Sequence, residues 1–279
     1  MRARARLLCA VALVIVAGCG STPADPEREI RIVGSDTMLE LGRRLAEAYM
    51  RQHPGETVRV EGGGSGVGIE ALIDGRAEIA AASRPLTSAE VAALHDRLGT
   101  LGVRFLLARD ALSVYLNAAN PVRDLRLDEL RRLFSGSIDD WSQVGGDESR
   151  VVVVVRPPTS GTHRFFRDHV LAGEPYAPDA LVAPTTGSVL DAVRLEPGAI
   201  GYGGIAYRLD GVVQAAVEGV APTADSVRRS RYPLSRYLAF YTAAPPSGLT
   251  KRFIDWCLNE AGQRVVAEVG YIPLWERDR

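Results

Sequence analysis

Four short stretches of this 279-residue chain gather hydroxyls, glycines and arginine in a pattern that could do chemistry. They are Gly34-Ser35-Asp36-Thr37; Gly62 to Gly68, with Ser65 and Val67 between the glycines; Ser83-Arg84 ahead of Thr87-Ser88; and Arg156-Pro157-Pro158-Thr159-Ser160-Gly161-Thr162. Each follows a strand-like run and precedes residues at helical spacing. A helix N-terminus leaves backbone N–H groups unpaired and carries partial positive charge, so small residues and hydroxyls placed there suit an anion. Capping alone would account for any one stretch, because Ser35, Thr37, Ser65, Ser83, Ser160 and Thr162 are ordinary N-cap types. Four together, two of them beside an arginine, point to an anion cradle. Five glycines among the seven residues 62–68 also cost chain entropy that a plain turn does not require.

Other chemistries find little support. Gly64-x-Gly66 lacks glycine at position 69, and Gly66-Val67-Gly68 and Gly201-Tyr202-Gly203 are degenerate matches to a dinucleotide fingerprint. No serine has glycine two residues away on both sides, so there is no nucleophile elbow. His163 and His169 are not at i, i+4 spacing, and Asp139-Asp140-Trp141 reads as a loop and helix cap. The sole lysine, Lys251, has no phosphate-loop glycines before it. No metal or cofactor is implied.

The elements that must position the four stretches alternate along the chain. Ile30–Val33, Thr57–Val60, Ile79–Ala82, Val103–Leu107, Ala111–Leu116, Val151–Val155, Ile200–Gly203 and Tyr237–Tyr241 read as strands. Helical spacing starts near Met38 and at Ile69, and runs over Ser88–Leu98, Leu127–Phe134, His163–Val170 and Thr250–Val269. Such alternation predicts an α/β fold with mostly parallel sheets and ligands at the carboxyl ends of the strands. Joints at Asn120-Pro121 and Tyr232-Pro233 suggest a middle block inserted into the first, giving lobes of 29–115 with 237–279 and of 116–236.

Residues 1–18 carry Arg2, Arg4 and Arg6 and then an apolar run from Leu7 to Ala17, too short to span a bilayer comfortably, and read as a secretory signal. Val16-Ala17-Gly18-Cys19 resembles a bacterial lipobox, which predicts acylation of Cys19 and a tether over 19–28. Without its three arginines, the charge falls from −1 to −4, and no strong field attracts nucleic acid. With 46% hydrophobic and 24% charged residues, disorder and a polytopic membrane protein are both disfavoured. Cys9 leaves with the signal; Cys257, among Phe253, Ile254, Trp256 and Leu258, reads as a buried inert thiol.

At the four loops the sequence resembles the PstS-type phosphate-binding proteins, substrate receptors of bacterial phosphate ABC importers. The matching text is Ile32 to Met38, Gly62 to Gly68, Ala77-Glu78-Ile79 through Ser83-Arg84-Pro85-Leu86, and Arg156 with Ser160-Gly161-Thr162. Asn117 to Pro121, Leu130 to Phe134 with Trp141, and Gly198 to Tyr202 also match. The resemblance covers nearly the whole mature chain. It implies a two-lobed type II periplasmic-binding fold closing on one phosphate, held by Ser35, Asp36, Thr37, Ser65, Gly66, Ser83, Arg84, Arg156, Ser160, Gly161 and Thr162. It also implies no catalysis, inorganic phosphate and importer permease subunits as partners, a monomer, and a lipid-anchored place outside the cytoplasm. The alternatives are a receptor for sulfate or molybdate, a phosphate sensor, or a phosphate-ester hydrolase.

Three departures stand out. The family's aspartate, which accepts the phosphate proton in the third loop, is replaced by Arg84, leaving Asp36 to take that part. Pro157-Pro158-Thr159 replaces Glu-x-Gly, and His163 stands where arginine is common. Asp36 otherwise caps the Met38 helix or pairs with Arg84 across the cleft.

Overall fold

The computed structural model describes residues 28–275. The expected signal, Cys9, Cys19 and the tether up to residue 27 lie outside the described residues. The chain runs β1 (Glu29–Gly34), a 3-10 turn (Asp36–Met38), α1 (Leu39–Gln52), β2 (Thr57–Glu61), α2 (Ser65–Ile73), β3 (Ile79–Ala82) and α3 (Ser88–Leu98). It continues through β4 (Val103–Asn117), β5 (Asp124–Leu125), α4 (Leu127–Phe134), β6 (Val152–Val155), α5 (Gly161–His169), β7 (Leu181–Val182) and α6 (Thr186–Leu195). The last elements are β8 (Ala199–Gly204), β9 (Val212–Val217), α7 (Ala224–Arg228), β10 (Ser235–Thr242), α8 (Gly248–Leu258) and α9 (Glu260–Val269).

The strands order as β2-β1-β3-β10-β4-β8-β6-β7, with β9 paired to β4 and β5. Parallel pairs occupy both ends, β1 with β2 and β3, and β6 with β7 and β8. The antiparallel ladders belong to β4 and β10 in the middle. Within β4, Val103–Ala111 pairs with β10, and from Leu112 the strand changes partner to β8. That single long strand fixes the two ends of the sheet relative to each other. The loops after β1, β2 and β3 then face the loop after β6.

Apolar periodicity explains what covers the sheet. Leu41, Leu45 and Tyr49 of α1 are fully buried, and Tyr49 meets Phe253 and Trp256 edge-on at 5.2 and 5.6 Å. At the other end Phe134, Phe166 and Tyr202 pack with ring centroids 4.4 to 5.5 Å apart. Each such ring contributes about 2–3 kcal/mol by leaving water, which seats α4 and α5 on β8. Cys257 is fully buried, and burial pushes its thiol well up, out of reactive range.

Local differences from the sequence reading have physical causes. The two strands expected at 103–107 and 111–116 are one. The charged residues between them are satisfied within the strand, since Asp110 accepts from Arg236 Nε at 2.9 Å and Arg109 exchanges backbone bonds with Ile272. The single helix expected over 250–269 is two, because the Asn259 side chain caps Ala261 and Gly262 N–H and restarts the helix. Helix α2 begins at Ser65, earlier than Ile69, which puts Ser65 in its first turn. The elements β5, β7 and α7 are too short for periodicity to reveal, and α6 and β9 were not expected.

Candidate anion-binding site

The four loops meet where the two ends of the sheet face each other. Gly34 delivers the first into the 3-10 turn, and Ser35 N–H donates to Ala81 O at 2.8 Å, tying it to β3. The Ser35 hydroxyl makes no capping bond, so capping does not account for that residue. Thr37 is buried, its backbone carbonyl accepts from the Tyr271 hydroxyl at 2.6 Å, and its Oγ1 lies 2.8 Å from Thr162 Oγ1 of the fourth loop. Two hydroxyls from opposite ends of the sheet are therefore in direct contact.

The glycine run serves close approach. Gly64 has φ +103°, and a β-carbon there would lie 2.7 Å from Thr159 O, so no other residue lets the second and fourth loops touch. Gly66 N–H donates to that same carbonyl at 3.0 Å. Ser65 and Ser83 are fully buried: Ser83 N–H donates to Ser65 Oγ at 3.1 Å, and the two hydroxyls lie 3.4 Å apart. Opposite them sits Gly161, whose added β-carbon would meet Ser65 Oγ at 2.2 Å and Ser83 Oγ at 2.7 Å. The first turn of α5, capped by Ser160 Oγ accepting from His163 N–H at 3.3 Å, thus abuts both serines.

The charge at this convergence is Arg156, 1% exposed. Its Nη2 donates to Asp36 Oδ2 at 2.7 Å and to Pro184 O at 2.9 Å, and its Nη1 donates to Thr186 Oγ1 at 2.9 Å. The buried Nε has no protein partner. Burial holds the guanidinium below its ordinary pKa, partly offset by Asp36. The other Asp36 oxygen, Oδ1, accepts from Gly63 N–H at 3.1 Å, and its backbone carbonyl accepts from the Tyr207 hydroxyl at 2.7 Å. Asp36 therefore joins the first, second and fourth loops. It neither caps the helix nor reaches Arg84.

Arg84 is turned to its own loop. Its two Nη groups donate to Glu90 at 2.7 Å each, and Nη1 also reaches Pro85 O at 2.9 Å. With Arg84 so paired, Arg156 supplies the positive charge between the loops. Three contributors escaped the sequence reading: Thr186, the Pro184 carbonyl and Tyr207. Thr185-Thr186 ahead of an apolar run was a readable helix start, since Thr185 caps α6 by accepting from Ser188 N–H; Tyr207 sits in a loop and gave no signal. Among the described residues no cluster of three or more His, Cys, Asp or Glu is placed to hold a metal ion. Hydroxyls, backbone N–H groups and one guanidinium fork suit a tetrahedral oxyanion.

A sheet with two parallel ends, crossing strands and an anion cradle between them defines a two-lobed periplasmic-binding fold, and a family model described as the PBP superfamily domain matches residues 20–261. The phosphate-binding protein PstS of Bacillus subtilis is 31% identical, covering 96% of this chain and 92% of its own. That of Pseudomonas aeruginosa is 30% identical over 96% and 94%. An ABC-type phosphate transport receptor from Vibrio cholerae superposes with TM-score 0.73 at 33% identity, covering 87% of this chain and 99% of the receptor. A Clostridium perfringens substrate-binding protein assigned to a phosphate ABC transporter, solved with bound phosphate, gives TM-score 0.81 at 29% identity over 88% and 100%. The chain belongs to the PstS-type phosphate-binding proteins.

Proposed function

We propose that this protein captures inorganic phosphate between the two ends of the sheet and hands it to the permease subunits of an ABC importer, without changing it chemically. One observation carries the reading: four loops of hydroxyls and backbone N–H groups converge on a fully buried arginine fork. Burying a phosphate without donors for its oxygens would cost many kcal/mol, and this cradle supplies them. The proposed ligands are Ser35, Thr37, Ser65, Gly66, Ser83, Arg156, Ser160, Gly161 and Thr162, with Asp36 and Arg84 alongside. The relatives are named for phosphate binding and transport, which favours phosphate over sulfate or molybdate.

The proposed lobes are 29–115 with 237–279, and 116–236. In support, β4 changes partners at Ala111–Leu112, a few residues before the proposed boundary at 115, and β10 begins at Ser235, beside the boundary at 236. Contacts across the cleft, Thr37 to Thr162 and Asp36 to Arg156, are those that closure would make. Among the described residues no helix is long and apolar enough to cross a membrane. Membrane attachment outside the cytoplasm is assigned to acyl chains on Cys19. Calorimetric titration of stripped protein with phosphate, sulfate and molybdate tests the function. Phosphate should bind tightly and outcompete the other two, while equal or weaker phosphate binding would reject the reading. Mass spectrometry of the membrane-derived protein should find acylated Cys19 at its N-terminus.

A further inference from the structure

Arg156 is held by more than its side chain. Its backbone N–H and C=O, just past the end of β6, are both taken by side chains. The N–H donates to the Tyr202 hydroxyl at 3.3 Å, and the C=O accepts from His163 Nδ1 at 2.6 Å. The Tyr202 hydroxyl donates to the Tyr176 hydroxyl at 3.1 Å, which donates to the His163 carbonyl at 2.8 Å. The path therefore closes on itself, from Arg156 through Tyr202, Tyr176 and His163 back to Arg156. Since a carbonyl can only accept, the His163 proton sits on Nδ1.

The surroundings keep this ring intact. Tyr202 is fully buried and stacks on Phe166 at 4.4 Å, and the His163 and Tyr176 rings lie 4.5 Å apart. Burial pushes the Tyr202 hydroxyl up to about 12 and that of Tyr176 higher still, so both remain donors. Burial pushes the His163 imidazole down, so it is neutral at pH 7. The segment spanned by the ring contains Pro157 and Pro158, which have no N–H to contribute. The turn itself is closed by Ser160 N–H donating to Pro157 O at 2.9 Å, and the ring adds the ties that hold the backbone of Arg156 itself to the first turn of α5.

We propose that His163, Tyr176 and Tyr202 are positioning residues of the anion site, their hydrogen-bond ring locking the Arg156 backbone to the first turn of α5 and so aiming its guanidinium. The proposal rests on the phosphate reading above. The test compares wild type with Tyr176→Phe, His163→Phe and His163→Asn, titrated calorimetrically with inorganic phosphate, and records side-chain ¹H–¹⁵N spectra of wild-type histidines. Tyr176→Phe keeps the ring packing but removes both hydroxyl links, and should weaken phosphate binding about tenfold. His163→Phe should weaken it at least as much. His163→Asn, whose amide can donate in place of Nδ1, should return to within about threefold of wild type. The spectra should show His163 as the neutral Nδ1–H tautomer. Wild-type affinity in both Phe variants, no recovery in His163→Asn, or a proton on Nε2 would each overturn the proposal. If His163→Phe does not fold, Tyr176→Phe decides. If wild type binds no phosphate, the functional reading fails and the site role of the ring with it, while the tautomer still reports whether the ring exists.

Discussion

Arg156 and Asp36 form one unit, and their substitutions should separate affinity from selectivity. Arg156→Met removes the charge at the cradle and leaves Asp36 without its partner. Loss of one member of a desolvated pair costs about 3–5 kcal/mol, so phosphate affinity should fall by a factor of hundreds or more. Unchanged affinity would refute the assignment. Arg156→Lys should also be damaging, because one ammonium cannot reach Asp36, Pro184 O and Thr186 together as the guanidinium does. Asp36→Asn keeps the shape but removes a negative charge beside the anion. A carboxylate there tolerates an oxyanion that still carries a proton and repels one that does not. Sulfate should therefore gain more than phosphate, narrowing their affinity ratio by about tenfold, or about 1.4 kcal/mol. A fixed ratio with altered thermal stability would make Asp36 a tie between loops and nothing more.

At the scale of elements, α3 is anchored at its N-terminus by a reciprocal box between Thr87 and Glu90, to which Arg84 adds two charge-assisted bonds. Burial alone would raise the Glu90 carboxyl, but Arg84 and Thr87 together hold it below its ordinary value. A carboxyl lowered in the folded state stabilises above its unfolded pKa, and that contribution disappears as pH falls through the folded value. Glu90→Gln should cost about 2–3 kcal/mol near pH 7. The gap in melting temperature from wild type should close as pH is lowered below about 4. A pH-independent gap would mean that Glu90 acts through packing. The third site loop, Ser83-Arg84, is part of this anchor, so phosphate binding should weaken modestly as well.

For the molecule as a whole, the two ends of the sheet are joined through β4 and β10, and between those strands lies the buried pair Asp110–Arg236. Asp110 also accepts from Ile205 N–H at 3.0 Å, just beyond β8, and the Arg236 guanidinium lies 5.4 Å from the Phe165 ring of α5. Asp110→Ala would leave Arg236 buried and unpaired, a cost of about 3–5 kcal/mol. In a chain of this size that lowers the melting temperature by on the order of 10 °C, measurable by calorimetry. A drop within a degree or two would show that the pair contributes nothing at the crossing. Closure is a separate expectation: small-angle scattering should give a smaller radius of gyration with saturating phosphate than without it. Coincident curves would argue against hinge motion.

The sequence by itself determined the alternation of strands and helices, the four hydroxyl- and glycine-rich loops and the residues in them. Those features are local, because apolar spacing, capping types and glycine runs each act over a few neighbours. The family resemblance rested on the same loops in the same order. What those side chains do to one another could not be read. Asp36 meets Arg156 across 120 positions of sequence, and Arg84 pairs with Glu90 six residues on. The sequence favours Arg156 as the main charge partner, because it ends the most buried-looking strand ahead of Ser160-Gly161-Thr162, but only the fold turns Arg84 to Glu90. Two separate strands were expected where β4 runs unbroken, and only the arrival of Arg236 and Ile272 beside Asp110 and Arg109 shows how the strand continues through them. Thr186, Tyr202 and Tyr207 joined the site in the same way. Local propensity is short-ranged, whereas the partner of a buried polar group is chosen by whichever distant segment the core brings beside it.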